Sequence, residues 1–180
     1  MKMDYRVVFS QRKSIAVVVT EEAEILVKAP CGYSQKRIRE FLTAHEEWIR
    51  CRLAKMQEQK EELGPPLTEE EKQLYRKRAQ KILPEKTAFY AEKLGVTFGK
   101  ISIREQKTRW GSCSSKGNLN FNWRLMLAPD EVIDYVVVHE LAHRKEMNHS
   151  KAFYQIVESV LPDYKNRQKW LKEQGFILWR

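Results

Sequence analysis

Two histidines four residues apart, with a glutamate after the first, are the side chains best suited to chemistry here: Val136-Val137-Val138-His139-Glu140-Leu141-Ala142-His143. On a helix, positions i and i+4 stack on one face, so both imidazoles can reach one metal ion. Glu140 projects about 100° further round the helix, beside such an ion rather than on it. A carboxylate there can take a proton from water, and zinc lowers the pKa of a bound water to about 7. The H-E-x-x-H spacing thus supplies two ligands and a general base. Val136, Val137, Val138, Leu141 and Ala142 predict a largely buried helix. Polar His-Glu-His in such a helix needs a partner, and a metal supplies it.

An open zinc site takes a third protein ligand and leaves one position for water. His149 follows His143 by six residues. A helix break near Asn148, a residue type that tolerates left-handed backbone, would turn the chain back and bring His149 to the metal. Ser150 then has the chemistry of an N-cap for the next helix. Glu158, on that next helix, is the rival third ligand. His45, near Trp48 on another predicted helix, is read as structural. The three cysteines, Cys31, Cys51 and Cys113, are odd in number and form no C-x-x-C pair. That argues against a disulfide framework or a thiolate zinc site, and Cys113 is read as structural.

The elements that must position these residues follow from patterning. The chain has 180 residues, 42% of them hydrophobic, enough for one domain with a core or a domain plus an appendage. No run approaches the roughly 18 apolar residues of a membrane span. Met1-Lys2-Met3-Asp4-Tyr5 lacks a secretory h-region, so the expected location is the cytoplasm. Residues 5–9, 14–20 and 25–28 read as strands of a small antiparallel meander. Ser34 caps a helix running to about Glu62, with Trp48 expected in its core face. Gly64-Pro65-Pro66 is the clearest break, separating 1–63 from 67–180, unless 1–180 is one continuous domain. Thr68 and Glu71 form a capping box for the next helix, which Pro84 is expected to kink or divide.

Residues 98–105 and 119–125 read as further strands, joined by a polar loop holding Gly111 and Gly117. Pro129-Asp130 opens the metal helix. Phe153, Ile156, Val157 and Val160 form one face of the following helix, and 164–174 forms a last helix stopped by Gly175. The expected class is α+β. An N-terminal β-meander and long helices precede a minimal core of a small sheet, the metal helix and two closing helices.

Several segments together resemble a known family: Arg109-Trp110-Gly111-Ser112-Cys113, Asn122-Trp123-Arg124-Leu125, Tyr135 through His143, Asn148-His149-Ser150 and Phe153. The combination is similar to the YgjP-like metal-dependent hydrolases, zincin metallopeptidases related to the SprT-like and WLM groups. The likeness covers nearly the whole chain. It implies zinc ligation by His139, His143 and His149, with Glu140 as catalytic acid and base. Some members of the related groups cut proteins attached to DNA.

The expected reaction is hydrolysis of a peptide bond, with a polypeptide as substrate and Glu140 moving the proton. Arg109 and Tyr154 are candidates to stabilise the oxyanion. Strand 119–125 is expected to pair with an extended substrate, with Asn120 and Asn122 on its polar face, unless it lies inside its sheet with no free edge. The net charge of +9 raises DNA as a recruiter of protein substrates, although many of these charges fall in mixed-sign helical stretches that suit a solvated face. The other functional class is a nucleic-acid-binding or adaptor module with a structural zinc. Such a site would be closed by four protein ligands. The sequence leaves the oligomeric state open.

Overall fold

Gly64, at φ 64°, followed by Pro65 and Pro66, interrupts the chain between two compact units, Met1–Gly64 and Pro65–Arg180. The computed structural model describes residues 4–20 and 23–179; residues 1–3, on which the leader expectation rests, lie outside them.

In the first unit, β1 (Tyr5–Ser10), β2 (Ala16–Val19) and β3 (Ile25–Pro30) form a sheet of order β1-β3-β2. β3 is parallel to β1 and antiparallel to β2. The expected antiparallel meander is therefore corrected: the third strand lies between the first two. The reason is burial. Ile25, Val27 and Ala29 alternate into the core, and a strand so apolar on one face gains most where neighbours cover both its edges. Ser34 caps α1 (Gln35–Ala44) by accepting from the Arg37 amide. His45 ends that helix and precedes α2 (Glu46–Leu63), its Nδ1 lying 2.8 Å from the Phe41 carbonyl. The break resets the helical phase, so Ile49 is fully buried while Trp48 is 51% exposed. The expectation that Trp48 is a core residue is wrong for that reason.

In the second unit, Thr68 and Glu71 close a capping box on α3 (Glu69–Leu94), which ends at Gly95 in left-handed geometry. Pro84 does not divide α3, which runs through it as one helix. Ala79, Leu83, Thr87, Ala91 and Leu94 are buried on both sides of it, and Gln80, whose carbonyl loses its donor, is exposed to water. β4 (Ile101–Arg104), β5 (Gly111–Cys113) and β6 (Leu119–Asn122) form a sheet of order β4-β6-β5. The predicted strand 119–125 stops at Asn122. The Asn122 side chain accepts from the Arg124 amide at 3.1 Å and starts a 3-10 turn, Trp123–Leu127. α4 (Asp130–Ala142), α5 (Lys151–Val160), α6 (Tyr164–Gln174) and a final 3-10 turn, Gly175–Trp179, complete the unit.

Leu119 and Phe121 of β6 join the core with α4, which is apolar almost all round and correspondingly buried. Lys86 of α3 reaches Asp130 and Asp134 at 2.7 Å each. Arg167 of α6 donates to the Glu131 carbonyl at 3.0 Å. These contacts fix α4 from two sides. The class is α+β, as expected. Among the described residues no helix is long and apolar enough to cross a membrane.

Candidate metal centre

α4 is enclosed through its middle and reaches the surface at its two ends, Asp130 and Glu131 at the start and the histidines at the C-terminal end. There His139 and His143 are half-buried and Glu140 is 6% exposed. The helix ends at Ala142, a turn earlier than the expected break near Asn148, with His143 as its cap. The chain then turns through amide bonds from Arg144 to the Leu141 carbonyl and from Lys145 and Glu146 to that of Ala142. Arg144 holds the turn by donating to the Thr97 carbonyl at 3.0 Å and to the Ser115 carbonyl at 3.2 Å. Ser150 restarts the helix by accepting from the Phe153 amide. His149 lies between turn and cap, and is thereby carried back to α4.

The three imidazoles converge. Ring centroids are 5.2 Å apart for His139 and His143, 4.9 Å for His139 and His149, and 4.8 Å for His143 and His149. One nitrogen from each lies within 4.8 Å of the others. Glu158 is outside this group. Phe153, fully buried, packs against all three rings at 4.7–4.9 Å. His143 Nδ1 lies 3.2 Å from the Glu146 carbonyl, which accepts its N–H and leaves Nε2 with a lone pair.

Burial, and then the neighbouring His143 and His149, hold His139 down to about 3, and burial also lowers His143. These two rings are therefore neutral near pH 7. His139 Nε2 and His149 Nε2 nevertheless face each other at 3.0 Å. Imidazole nitrogens converging this closely suit a shared cation, and three imidazoles match the donor set of an open zinc site.

Glu140 sits beside the triad. Burial pushes its carboxyl up to about 8, and Arg109 pulls in the opposite direction. β5 passes so close that a Cβ on Gly111 would lie 2.6 Å from Glu140 Oε1 and 2.7 Å from its Cγ. Only glycine leaves room for the carboxylate there.

These shifts predict the pH dependence of the metal-free protein. Between about 4.5 and 8 the folded chain holds one more proton than the unfolded chain at Glu140; between about 3 and 6.5 it holds one fewer at His139. From 4.5 to 6.5 the two slopes oppose each other, and His143, also lowered by burial, adds to the histidine side. Above 6.5 only Glu140 contributes, and stability falls with rising pH by up to about 1.4 kcal/mol per unit. Below 4.5 the Glu140 slope is gone, and stability falls as pH drops. Thermal melts of chelator-treated protein should show the fall above pH 6.5. A midpoint still rising through pH 8 contradicts the burial of Glu140 as an acid.

The other candidates divide. Arg109 is exposed in the loop before β5, with its charge acting on Glu140. Tyr154 stands 6.4 Å from His149 between ring centroids and stacks on Tyr164. Asn120 donates to Ser112 Oγ at 3.2 Å across the sheet. Asn122 is a correction: it is fully buried, and its Nδ2 donates to the Gln106 carbonyl at 2.7 Å, so it shapes the end of β6 and cannot meet a substrate. The expected substrate strand is corrected too. β6 is flanked by β4 and β5 and has no free edge. Burial, then the nearby Glu140, raises the Cys113 thiol, which makes it a poor nucleophile. Gly111, Phe153 and Arg144 were not foreseen as site-shaping residues. Gly111 and Phe153 carried a signal, since both fall among the residues of the family resemblance.

The sequence matches the family model described as YgjP-like, metallopeptidase domain, over residues 13–74 and 67–174. One curated relative, named UTP pyrophosphatase, of Escherichia coli (strain K12), is 51% identical over 37 residues, 21% of this chain and 22% of that protein. The chain thus matches about a fifth of that relative's length. Among solved structures it is similar to the metallopeptidase zymogen abylysin of Pyrococcus abyssi, at 26% identity and a TM-score of 0.46, over 52% of this chain and 96% of that one. It is also similar to the zymogen jannalysin of Methanocaldococcus jannaschii, at 19% identity and a TM-score of 0.47, over 52% and 97%.

Proposed function

Because the chain belongs to the YgjP-like family of metallopeptidase domains, we propose that it is a zinc-dependent peptidase with Glu140 as its general base. The observation that carries this reading is the convergence of His139, His143 and His149 within 4.8 Å beside a buried glutamate. Zinc held by these three imidazoles would supply Lewis acidity and a water of lowered pKa. Glu140 takes one proton from the attacking water and later gives it to the leaving amine nitrogen. One water is consumed, and a carboxylate and an amine are released. Arg109, whose charge acts on Glu140, and Tyr154, near His149, are the proposed partners of the oxyanion.

Substrate approach belongs to β5 rather than β6. β5 pairs with β6 through Trp110, Ser112 and Ser114, which bond to Asn122, Asn120 and Asn118. In an antiparallel ladder the alternate residues, Gly111 and Cys113, turn their backbone groups outward. An extended polypeptide can add there, next to Glu140. Backbone pairing reads little side-chain identity, so unfolded protein is the expected substrate class.

Gly111→Ala tests the packing of base against strand. The new methyl displaces the carboxylate, and a misplacement of about 1 Å lowers turnover by roughly 10²-fold. Metal content should be unchanged. Wild-type turnover in this variant would place Glu140 elsewhere during reaction.

The overall reading is tested by digesting an unfolded model protein with and without a chelator, and with and without DNA at low and moderate salt. Chelator-sensitive cleavage is expected. Cleavage indifferent to DNA at every salt concentration removes DNA as a recruiter. A second reading rests on the relative named UTP pyrophosphatase: the same water and base could attack a phosphoanhydride. Pyrophosphate release from UTP, with no cleavage of polypeptide, would select it.

A further inference from the structure

An open cavity of about 690 Å³ lies between α6, Trp110 and Tyr135 of α4. Lys165, Lys169 and Lys172 line it from positions i, i+4 and i+7 of α6, one face of that helix. Among the described residues none of the three makes an ion pair. Glu173 is the one carboxylate in the lining, so positive charge remains in excess. Lysines on a solvated helix face ordinarily point into bulk water. Here they surround a concave surface whose floor is aromatic and hydrogen-bonding: Trp110, Gln168 and the 4% exposed Tyr135.

The cavity adjoins the chemistry. Tyr135 stands one helical turn before His139, with ring centroids 5.8 Å apart. Trp110 precedes Gly111, the residue packed against Glu140. Its ring is held by stacking on Trp179 at 4.4 Å.

We propose that this groove is an anion-binding subsite of the catalytic centre. It takes the closely spaced negative oxygens of the substrate, whether carboxylates of an acidic peptide or a chain of phosphates. Three ammonium groups on one face offer point charges to several oxygens at once, and the Tyr135 and Gln168 side chains add neutral donors. A ligand anchored there lies against Tyr135, one helical turn from His139, and Trp110, next to Gly111. The proposal rests on the hydrolase reading only for the word subsite; binding itself does not need turnover.

The test uses the protein as purified, carrying Glu140→Gln so that ligands are not consumed. Calorimetric titrations at low ionic strength use inorganic tripolyphosphate, a glutamate-rich peptide and a neutral peptide. Lys165→Ala/Lys169→Ala/Lys172→Ala should weaken tripolyphosphate, the acidic peptide or both by tenfold or more, and leave the neutral peptide unchanged. Lys77→Ala/Lys81→Ala/Lys107→Ala removes the same charge elsewhere and should change little. Which anion responds identifies the source of the charge. Lysine variants that bind both anions like the parent, or an equal loss in the control triple, overturn the subsite. In the active protein the groove variant should raise KM for the responding anionic substrate with kcat retained. An inactive protein that still binds anions through these lysines would defeat the hydrolase reading alone.

Discussion

Glu140→Gln is expected to fold and to keep its metal while losing hydrolysis by roughly 10²–10⁴-fold, the span of a positioned general base. The amide preserves the shape that fits against Gly111, where the nearest approach of an added Cβ would be 2.6 Å. It removes the one function a carboxylate has there, accepting a proton. Glu140 is not one of the three converging nitrogen donors, so metal content should not follow activity. Single-turnover assays with equal metal loading separate the two effects. A Glu140→Gln protein of full activity rules out the general-base role. The adaptor alternative is tested by the same variant: a purely structural zinc leaves every function of the chain untouched by this substitution.

The second large effect is on the metal. The protein as purified should carry about one zinc per chain, since three imidazoles leave a fourth position open. His139→Ala and His143→Ala should each abolish tight binding. His149→Ala should weaken it by more than the roughly 10–100-fold that follows loss of an outer hydrogen-bond partner of a ligand. His149 is the informative case, because it lies on a loop and is held by the turn at Arg144 and the Ser150 cap rather than by helix spacing. Full zinc retention in His149→Ala, with loss in Glu158→Ala, would replace the third ligand. Metal analysis by mass spectrometry after dialysis distinguishes these outcomes.

Local spacing alone determined the residues His139, Glu140 and His143 and their sharing of one helix end. Four residues is close to one helical turn, and the apolar run around them dictates a buried helix. The capping box at Thr68, the stop at Gly95 and the break at Gly64 were legible for the same reason: caps and turns depend on neighbours in sequence. What sequence could not supply depends on which partners a segment finds. β3 pairs between β1 and β2 because its alternating apolar face demands cover. Pro84 stays inside α3 because packing on both sides outweighs one missing hydrogen bond. Trp48 turns outward because His45 resets the helical phase. β6 lies inside its sheet and Asn122 is spent on the Gln106 carbonyl, so the free edge beside Glu140 belongs to three residues, Gly111–Cys113, that patterning left as loop. Strand pairing, close approach of Gly111 to Glu140, and the meeting of three lysines with Trp110 and Tyr135 are contacts between segments far apart in the chain. No periodicity of 2 or 3.6 residues encodes them; only the tertiary structure decides them.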